Sequence, residues 1–328
     1  MRSLRIGTRG SPLALYQANT VAALLGAHAG VRASIVVIKT AGDRVAETGQ
    51  APSPLAGDGG KRLFVKEIQD ALLAGEVDLA VHSSKDMPAV PPEGLVLAAV
   101  LPREDARDAI VLPQRDGEPQ APGTMAGVVA RLGPTPRIGT SSVRRAAQLR
   151  RLFPNASFAP VRGNLDTRLR KLDAGEYDAL VLAAAGLRRL ERASRISAAI
   201  GADDCVPAPG QGIIAVEIRD GDAGTRDAVV RISDADAWVA LAAEQAVVRA
   251  LGGGCQMPVG AHAVLDGPAL VVTGVVATPD GSRALRAVTR GTIDAPGAAG
   301  EAAATALLSQ GAAEILAEVQ RSQAGPKV

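Results

Sequence analysis

The sequence predicts an α/β protein of two lobes with mostly parallel sheets, plus a small α+β C-terminal domain, and three observations predict it. Strand-like apolar runs alternate with helical patterns as far as about residue 230, the order that builds parallel sheets with ligands at the strand C-terminal edges. Two short motifs recur in the same order, which points to two lobes of similar build. After residue 235 the texture changes to one helical pattern, three β-like runs and an Ala-rich helical end. With 328 residues and 47% hydrophobic content the chain can bury more than one core.

Leu4 to Gly7 reads as a strand, Ser11 as an N-cap, Pro12 as a first-turn residue and Leu13 to Leu25 as an apolar helix. Arg5-Ile6-Gly7-Thr8 recurs as Arg137-Ile138-Gly139-Thr140, again followed by a serine loop and a helical pattern from Val143 to Leu152. Leu72, Ala74-Gly75-Glu76, Asp78 and Val81 recur as Leu172, Ala174-Gly175-Glu176, Asp178 and Val181, each set leading from a helix end through a glycine cap into a buried strand. Val206 to Gly212 reads as a crossing segment and Ile213 to Ile218 as a strand. A helix from Asp236 to Leu251 ends at Gly252-Gly253-Gly254. Runs at Val259 to Leu265, Leu270 to Ala277 and Ala284 to Thr289 follow, the last two joined by a Pro279-Asp280-Gly281 turn. One long helix from about Gly300 to Val319 closes the chain. The domains expected are 1–101 with 210–231, then 107–206, then 235–328.

Composition narrows the function. The formal charge is +2, yet only six of the 36 basic residues are lysine, so thirty are arginine. Abundant alanine beside them fits a GC-rich genome, so placement says more than number. Aromatics are 2% of the chain, too few for the stacking platforms of a nucleic-acid binder. The basic start MRSLRIGTRG leads into no apolar stretch, and Ala179 to Leu187 is too short to span a bilayer, so a soluble, unexported, cytoplasmic protein is expected. Cys205 and Cys255 form no disulfide framework.

Gly210-Gln211-Gly212-Ile213-Ile214-Ala215 imitates a dinucleotide fingerprint but follows a Pro-rich segment and precedes a strand, and no phosphate loop is present. His28, His82 and His262 lack ligand spacing, so no metal is expected. The loop Thr8-Arg9-Gly10-Ser11 places an arginine at a helix N-terminus, a site for carboxylate or phosphate. Ala80 to Pro88 ends a buried strand with Lys85 beside Asp86, either a strand-edge site or a plain surface ion pair. Arg144, Arg145 and Arg162 follow presumed strands, where guanidinium groups suit carboxylates. Cys255 sits among glycines with an open thiol, and Cys205 follows Asp203 and Asp204, whose charge would raise its pKa. The residues alone leave Cys255 open between a reactive thiol and a packing cysteine.

Nine ordered segments, RIGTRGSPLALYQA, GGKRLFVKEI, AVHSSKDMP, REDARDA, RIGTSSVRRAAQL, VRGNLDTRLRKL, LAAAGLRRL, PAPGQGIIAVE and GGGCQMPVGA, resemble the porphobilinogen deaminase (hydroxymethylbilane synthase) family almost end to end. The resemblance implies two periplasmic-binding-protein-like lobes and a small third domain with a cysteine. It implies a monomeric transferase of tetrapyrrole (haem and chlorophyll type) biosynthesis that condenses four porphobilinogen molecules head to tail with loss of ammonia. The primer it implies is a dipyrromethane cofactor held by Cys255 through a thioether. By position, Asp86 and Lys85 match the catalytic pair. Ser83, Lys85, Asp86, Thr140, Ser142, Arg144, Arg145 and Arg162 match cofactor contacts, and Arg9, Ser11, Phe64, Arg162, Arg168 and Arg189 match substrate contacts. Neither nucleic acid nor membrane is implied as a partner; the next enzyme of the pathway is.

Two departures stand out. Arg62 replaces a glycine after the GGK lysine, and Gly57-Asp58 stands where a lysine is common, so the loop from Ala41 to Arg62 is expected to close differently. Pro113 to Pro136 is longer than usual and reads as a surface insertion. Two other classes compete. A non-catalytic binding protein would need neither Asp86 nor an open Cys255 and would carry an export signal; a nucleotide-dependent enzyme would need a phosphate loop.

Overall fold

The structure is a computed structural model that describes residues 3–43, 65–114, 123–252 and 257–324. Phe64, Cys255, Arg62, Gly57-Asp58 and so most of the 41–62 loop lie outside the described residues. Thirteen strands are described, in chain order: β1 Ser3–Thr8, β2 Arg32–Val37, β3 Leu79–Ser83, β4 Leu95–Val100, β5 Asp108–Val111, β6 Arg137–Gly139 and β7 Ser157–Ala159. After them come β8 Ala179–Ala183, β9 Ala198–Ala199, β10 Ile214–Arg219, β11 Val259–Asp266, β12 Ala269–Ala277 and β13 Ala284–Thr292. The chain divides into two compact units, residues 1–104 with 212–238 and residues 105–211 with 239–328.

The first unit holds a five-stranded sheet in the order β2-β1-β3-β10-β4. β1 runs parallel to β2 and β3, while β10 runs antiparallel to β3 and β4. The second unit repeats this plan as β7-β6-β8-β5-β9, with β6 parallel to β7 and β8, and β5 antiparallel to β8 and β9. In both, the strand antiparallel to its neighbours takes the fourth position, so the predicted pair of like lobes is present and the sheets are mixed where it sits. Side chains alternate across each sheet as a period of two requires. In β3, Leu79 and Val81 enter one apolar cluster and Ala80 another; in β8, Ala179 and Val181 part from Leu180 and Leu182 in the same way.

The repeated motifs make the same bonds twice. Arg5 N–H donates to Asp78 Oδ2 at 2.8 Å and Asp78 N–H returns to Arg5 O at 2.8 Å; Arg137 N–H donates to Asp178 Oδ2 at 2.7 Å and Asp178 N–H to Arg137 O at 2.9 Å. Each aspartate thereby ties the strand before the helix to the strand after it. Gly139 is needed for packing, since a Cβ there would lie 2.4 Å from Leu180 Cδ2 and 2.9 Å from the Tyr177 ring.

The second unit also contains the three-stranded antiparallel sheet β11-β12-β13, whose core is its own cluster around Val247, Leu270, Val272, Val276 and Leu307. The turn at Pro279-Asp280-Gly281 joins β12 to β13 as predicted. The single closing helix expected from the Ala-rich run is two helices, Pro296–Ser309 and Ala312–Ala324, because Gly311 takes φ +96° between them. The presumed insertion Pro113 to Pro136 contains a helix, Met125–Leu132, N-capped by Thr124, whose Oγ1 accepts the Gly127 N–H at 3.2 Å. That cap sits inside a Pro- and Gly-rich stretch that reads as loop.

Gly212, two residues before β10, has φ +90°, and a Cβ on it would lie 2.2 Å from Glu104 O, while Glu104 N–H donates to Gly212 O at 3.0 Å. Gly212→Ala combines a left-handed cost of roughly 1–2 kcal/mol with an overpacking cost of roughly 1–3 kcal/mol. Urea denaturation is expected to show a lowered midpoint with an unchanged slope.

Candidate active site

In the first lobe the site is built at the C-terminal end of β1 and β3. β1 delivers Thr8 and Arg9 into a loop that Ser11 closes as N-cap of the helix Pro12–Leu24, its Oγ accepting the Ala14 N–H at 3.4 Å. Arg9 pairs with Asp43, its Nε donating to Oδ1 at 3.1 Å. Burial alone would raise the Asp43 carboxyl, but the hydrogen bonds from Arg9 and Thr40 outweigh it and hold the group below the ordinary carboxylate range. β3 ends at Ser83 and turns at once into a 3-10 turn, Ser84–Asp86, which carries Lys85 and Asp86. Backbone fixes this turn: Ser84 N–H donates to Ile213 O at 2.9 Å and Met87 N–H to Ser84 O at 3.1 Å.

Arg9, Ser11, Gln17, His82, Ser83 and Asp86 line one cavity of about 80 Å³. Gln17, which sequence reasoning missed, is buried on the helix and donates from Nε2 to Ser83 Oγ at 2.8 Å. His82 is buried with Nε2 3.3 Å from Glu217 Oε2, close but not aligned for a hydrogen bond, and Glu217 accepts from Gln69 Nε2 at 2.9 Å. Among the described residues, His82 Nε2 and Ser84 Oγ are buried polar atoms without a hydrogen-bond partner. A cavity lined by an acid, an arginine and two hydroxyls suits a ligand that brings both N–H donors and carboxylates.

In the second lobe Thr140 follows β6, and its Oγ1 accepts the Ser142 N–H at 3.2 Å. Ser142 caps the helix Val143–Leu149 through Oγ to the Arg145 N–H at 3.4 Å. Arg162 is exposed after β7, just ahead of the helix Leu165–Asp173 that Asn164 caps. Arg168 is half-buried and donates from Nε to Gly163 O at 2.8 Å, and Arg189, half-buried, ends the helix Ala184–Arg189.

Arg144 and Arg145 differ from the open clamps that their sequence placement suggests. Both are buried on Asp108, with Arg144 Nη2 2.8 Å from Oδ2 and Arg145 Nη2 2.7 Å from Oδ1. Burial alone would raise the Asp108 carboxyl, yet Arg144 and Arg145 outweigh it and hold the group far below the carboxylate range. Cys205 is free and buried, its Sγ 3.3 Å from Arg144 Nη1 and 3.5 Å from Asp108 Oδ2. Burial pushes its thiol up to about 12, Arg144 pulls against this, and Asp108 adds to it. The raised thiol was expected from Asp203 and Asp204; the direction holds, but the Asp203 side chain is 98% exposed and pairs with Arg286, so the cause is burial.

Cys205 is accordingly expected to resist thiol-specific labelling in the native protein at mildly alkaline pH and to react only on unfolding. Cys205→Ala should keep activity and lose about 1–2 kcal/mol of stability. Rapid native labelling would contradict the buried placement.

The first lobe is thus an α/β unit that ends β3 in a turn carrying Lys85 and Asp86, at a cavity lined also by Arg9 and Ser11, and the second lobe repeats the sheet plan with arginines after its strands. Residues 4–227 match the family described as "Porphobilinogen deaminase, dipyromethane cofactor binding domain", and residues 238–309 match its C-terminal domain. The chain is 45% identical to the porphobilinogen deaminase of Acidithiobacillus ferrooxidans over 324 residues, covering 98% of this chain and 99% of the relative. It is 45% identical to that of Syntrophobacter fumaroxidans, covering 98% and 99%, and 44% identical to that of Bordetella parapertussis, covering 98% of each. Among solved structures, an ancestral cationic amino acid solute-binding protein gives a TM-score of 0.39 at 14% identity over 70% of this chain and 86% of that one. A Salmonella typhimurium arginine-specific periplasmic binding protein gives 0.37 at 13% identity over 70% and 91%.

The chain belongs to the porphobilinogen deaminase family. It is a transferase of tetrapyrrole biosynthesis that polymerises porphobilinogen into hydroxymethylbilane with a dipyrromethane cofactor. Among the described residues no helix is long and apolar enough to cross a membrane, and no group of His, Cys, Asp and Glu side chains could hold a metal.

Proposed function

We propose that Asp86 is the catalytic group of this polymerisation and that Cys255 carries the dipyrromethane. The observation that carries the reading is the convergence of Asp86, Ser83, Arg9 and Ser11 on one cavity at the end of β3. When bound, the dipyrromethane supplies the pyrrole carbon on which the chain grows. Asp86 accepts a hydrogen bond from a ring N–H and lowers the energy of the positive charge that builds there as ammonia departs. By family position the cofactor contacts are Ser83, Lys85 and Asp86 in the first unit and Thr140, Ser142, Arg144, Arg145 and Arg162 in the second. Arg9, Ser11, Arg162, Arg168 and Arg189 hold the acetate and propionate groups of the incoming ring and growing chain, and Phe64 packs near the rings.

We further propose three domains, 1–101 with 210–231, 107–206 and 235–328, supported by three sheets each with its own core. The enzyme works as a monomer in the cytoplasm and hands its product to the next enzyme of the pathway; sedimentation at the monomer mass and activity in the cytosolic fraction test the first two points.

Arg162→Leu, Arg168→Leu and Arg189→Leu test the carboxylate assignment without touching Asp108. Each removes a charge-assisted bond of about 1.5–3 kcal/mol, so KM for porphobilinogen is expected to rise roughly tenfold or more, or elongation to stall. A stall shows in the intact mass as enzyme carrying a fixed number of added rings. Wild-type turnover in all three variants would remove the arginine assignment.

A further inference from the structure

Arg144 and Arg145 already hold a carboxylate that belongs to the chain. Asp108, the first residue of β5, is fully buried, and its backbone is fixed by pairing of β5 with β8, where Asp108 stands opposite Ala183. Its Oδ1 accepts from Arg145 Nε at 2.9 Å and from Gln211 Nε2 at 2.9 Å, while Oδ2 lies 2.8 Å from Arg144 Nη2. Backbone carbonyls take further donors: Arg145 Nη1 donates to Val181 O at 3.0 Å and Arg144 Nη1 to Val206 O at 2.6 Å. Two guanidinium groups, one carboxylate and a neutral thiol leave the cluster one net positive charge. Two buried guanidinium groups alone would repel each other, and their long side chains would seek solvent in separate directions. Asp108 instead sets both in one geometry before any ligand carboxylate arrives, and each guanidinium, with five N–H donors, keeps some in reserve.

We propose that Asp108 is a positioning residue for cofactor assembly: a buried internal carboxylate that orients Arg144 and Arg145 in the empty enzyme so that they meet the carboxylates of the incoming pyrrole chain. This rests on the reading of Arg144 and Arg145 as cofactor contacts. The site's affinity then depends on a residue that never touches the ligand, much as outer partners of metal ligands orient them, where removal costs roughly tenfold to a hundredfold.

The test uses the full chain purified without adduct from a host that makes no porphobilinogen, in wild type, Asp108→Asn, Asp108→Glu and Arg145→Leu forms. Loading is started with hydroxymethylbilane or porphobilinogen and followed by intact mass, at a temperature where circular dichroism shows equal folded fractions. Asp108→Asn is expected to load roughly tenfold or more slowly, with Asp108→Glu in between, because it keeps the charge and displaces it by one methylene. A merely structural aspartate would not give a graded loading rate at equal folded fraction. Folded Asp108→Asn loading at the wild-type rate would overturn the proposal. If Asp108→Asn does not fold, Asp108→Glu decides: slow loading supports the proposal and wild-type loading overturns it. Normal loading by Arg145→Leu would bring down the underlying arginine assignment, whereas defective Arg145→Leu with normal Asp108 variants would bring down this proposal alone.

Discussion

Purified Cys255→Ala protein is expected to carry no pyrrole adduct and to form no hydroxymethylbilane, because a thioether needs a sulfur nucleophile and alanine offers none. Wild-type protein, by contrast, should show an intact mass raised by two linked pyrrole units, and peptide mapping should place them on Cys255. The other cysteine cannot substitute: Cys205 is buried and its thiol is pushed up to about 12, far from the thiolate that nucleophilic attack requires. Loss of a ligand that binds only the folded chain also predicts earlier melting of Cys255→Ala. An adduct recovered on the Cys205 peptide, or an active enzyme of unmodified mass, would end the assignment.

Asp86→Asn is expected to lower kcat by roughly 100-fold or more with a much smaller change in KM, the signature of a preorganised charge acting chiefly in the transition state. The amide keeps a hydrogen-bond acceptor and loses the negative charge. Asp86→Glu should retain a fraction, since its charge survives one methylene away. The competing view makes Asp86 a tether for its own loop through Lys85. Backbone bonds from Ser84 N–H to Ile213 O and from Met87 N–H to Ser84 O also hold the turn, and an Asp86 substitution leaves them in place. Stability should therefore stay within about 0.5 kcal/mol of wild type, as for a substitution away from packing. Steady-state kinetics and melting of cofactor-loaded protein separate the two: lost stability with intact kcat would favour the tether.

The lobes were legible because their repeated motifs encode a bond as well as a pattern. Arg5 with Asp78 and Arg137 with Asp178 are the two copies, and the glycine between them admits a neighbour's side chain. The position of Lys85 and Asp86 at a strand end was legible because the buried apolar run of β3 stops just before them. What stayed hidden depends on distant partners: Asp108 meets Arg145 across 37 residues, and Glu217 meets Gln69 across 148. No local periodicity reports such pairs, so Arg144 and Arg145 read as open clamps while the fold buries them. Gln17 was hidden differently, as a polar residue in a mostly apolar helix whose partner, Ser83, lies 66 residues away. The helix Met125–Leu132 was missed because turn-forming residues surround it, and the break at Gly311 because alanine continues on both sides.

The placement of β10 has a consequence for synthesis on the ribosome. β3 and β4 do not pair with each other; each pairs with β10, which begins only at Ile214. The second lobe's sheet, β5 to β9, is complete once Ala199 has emerged. The lobe encoded first therefore finishes second: β4 must wait as an unpaired apolar strand while more than a hundred further residues are translated. During that interval Leu95 to Val100 is the segment open to chaperones, and a nascent chain arrested before Ile214 should present a native second lobe attached to an unfinished first one.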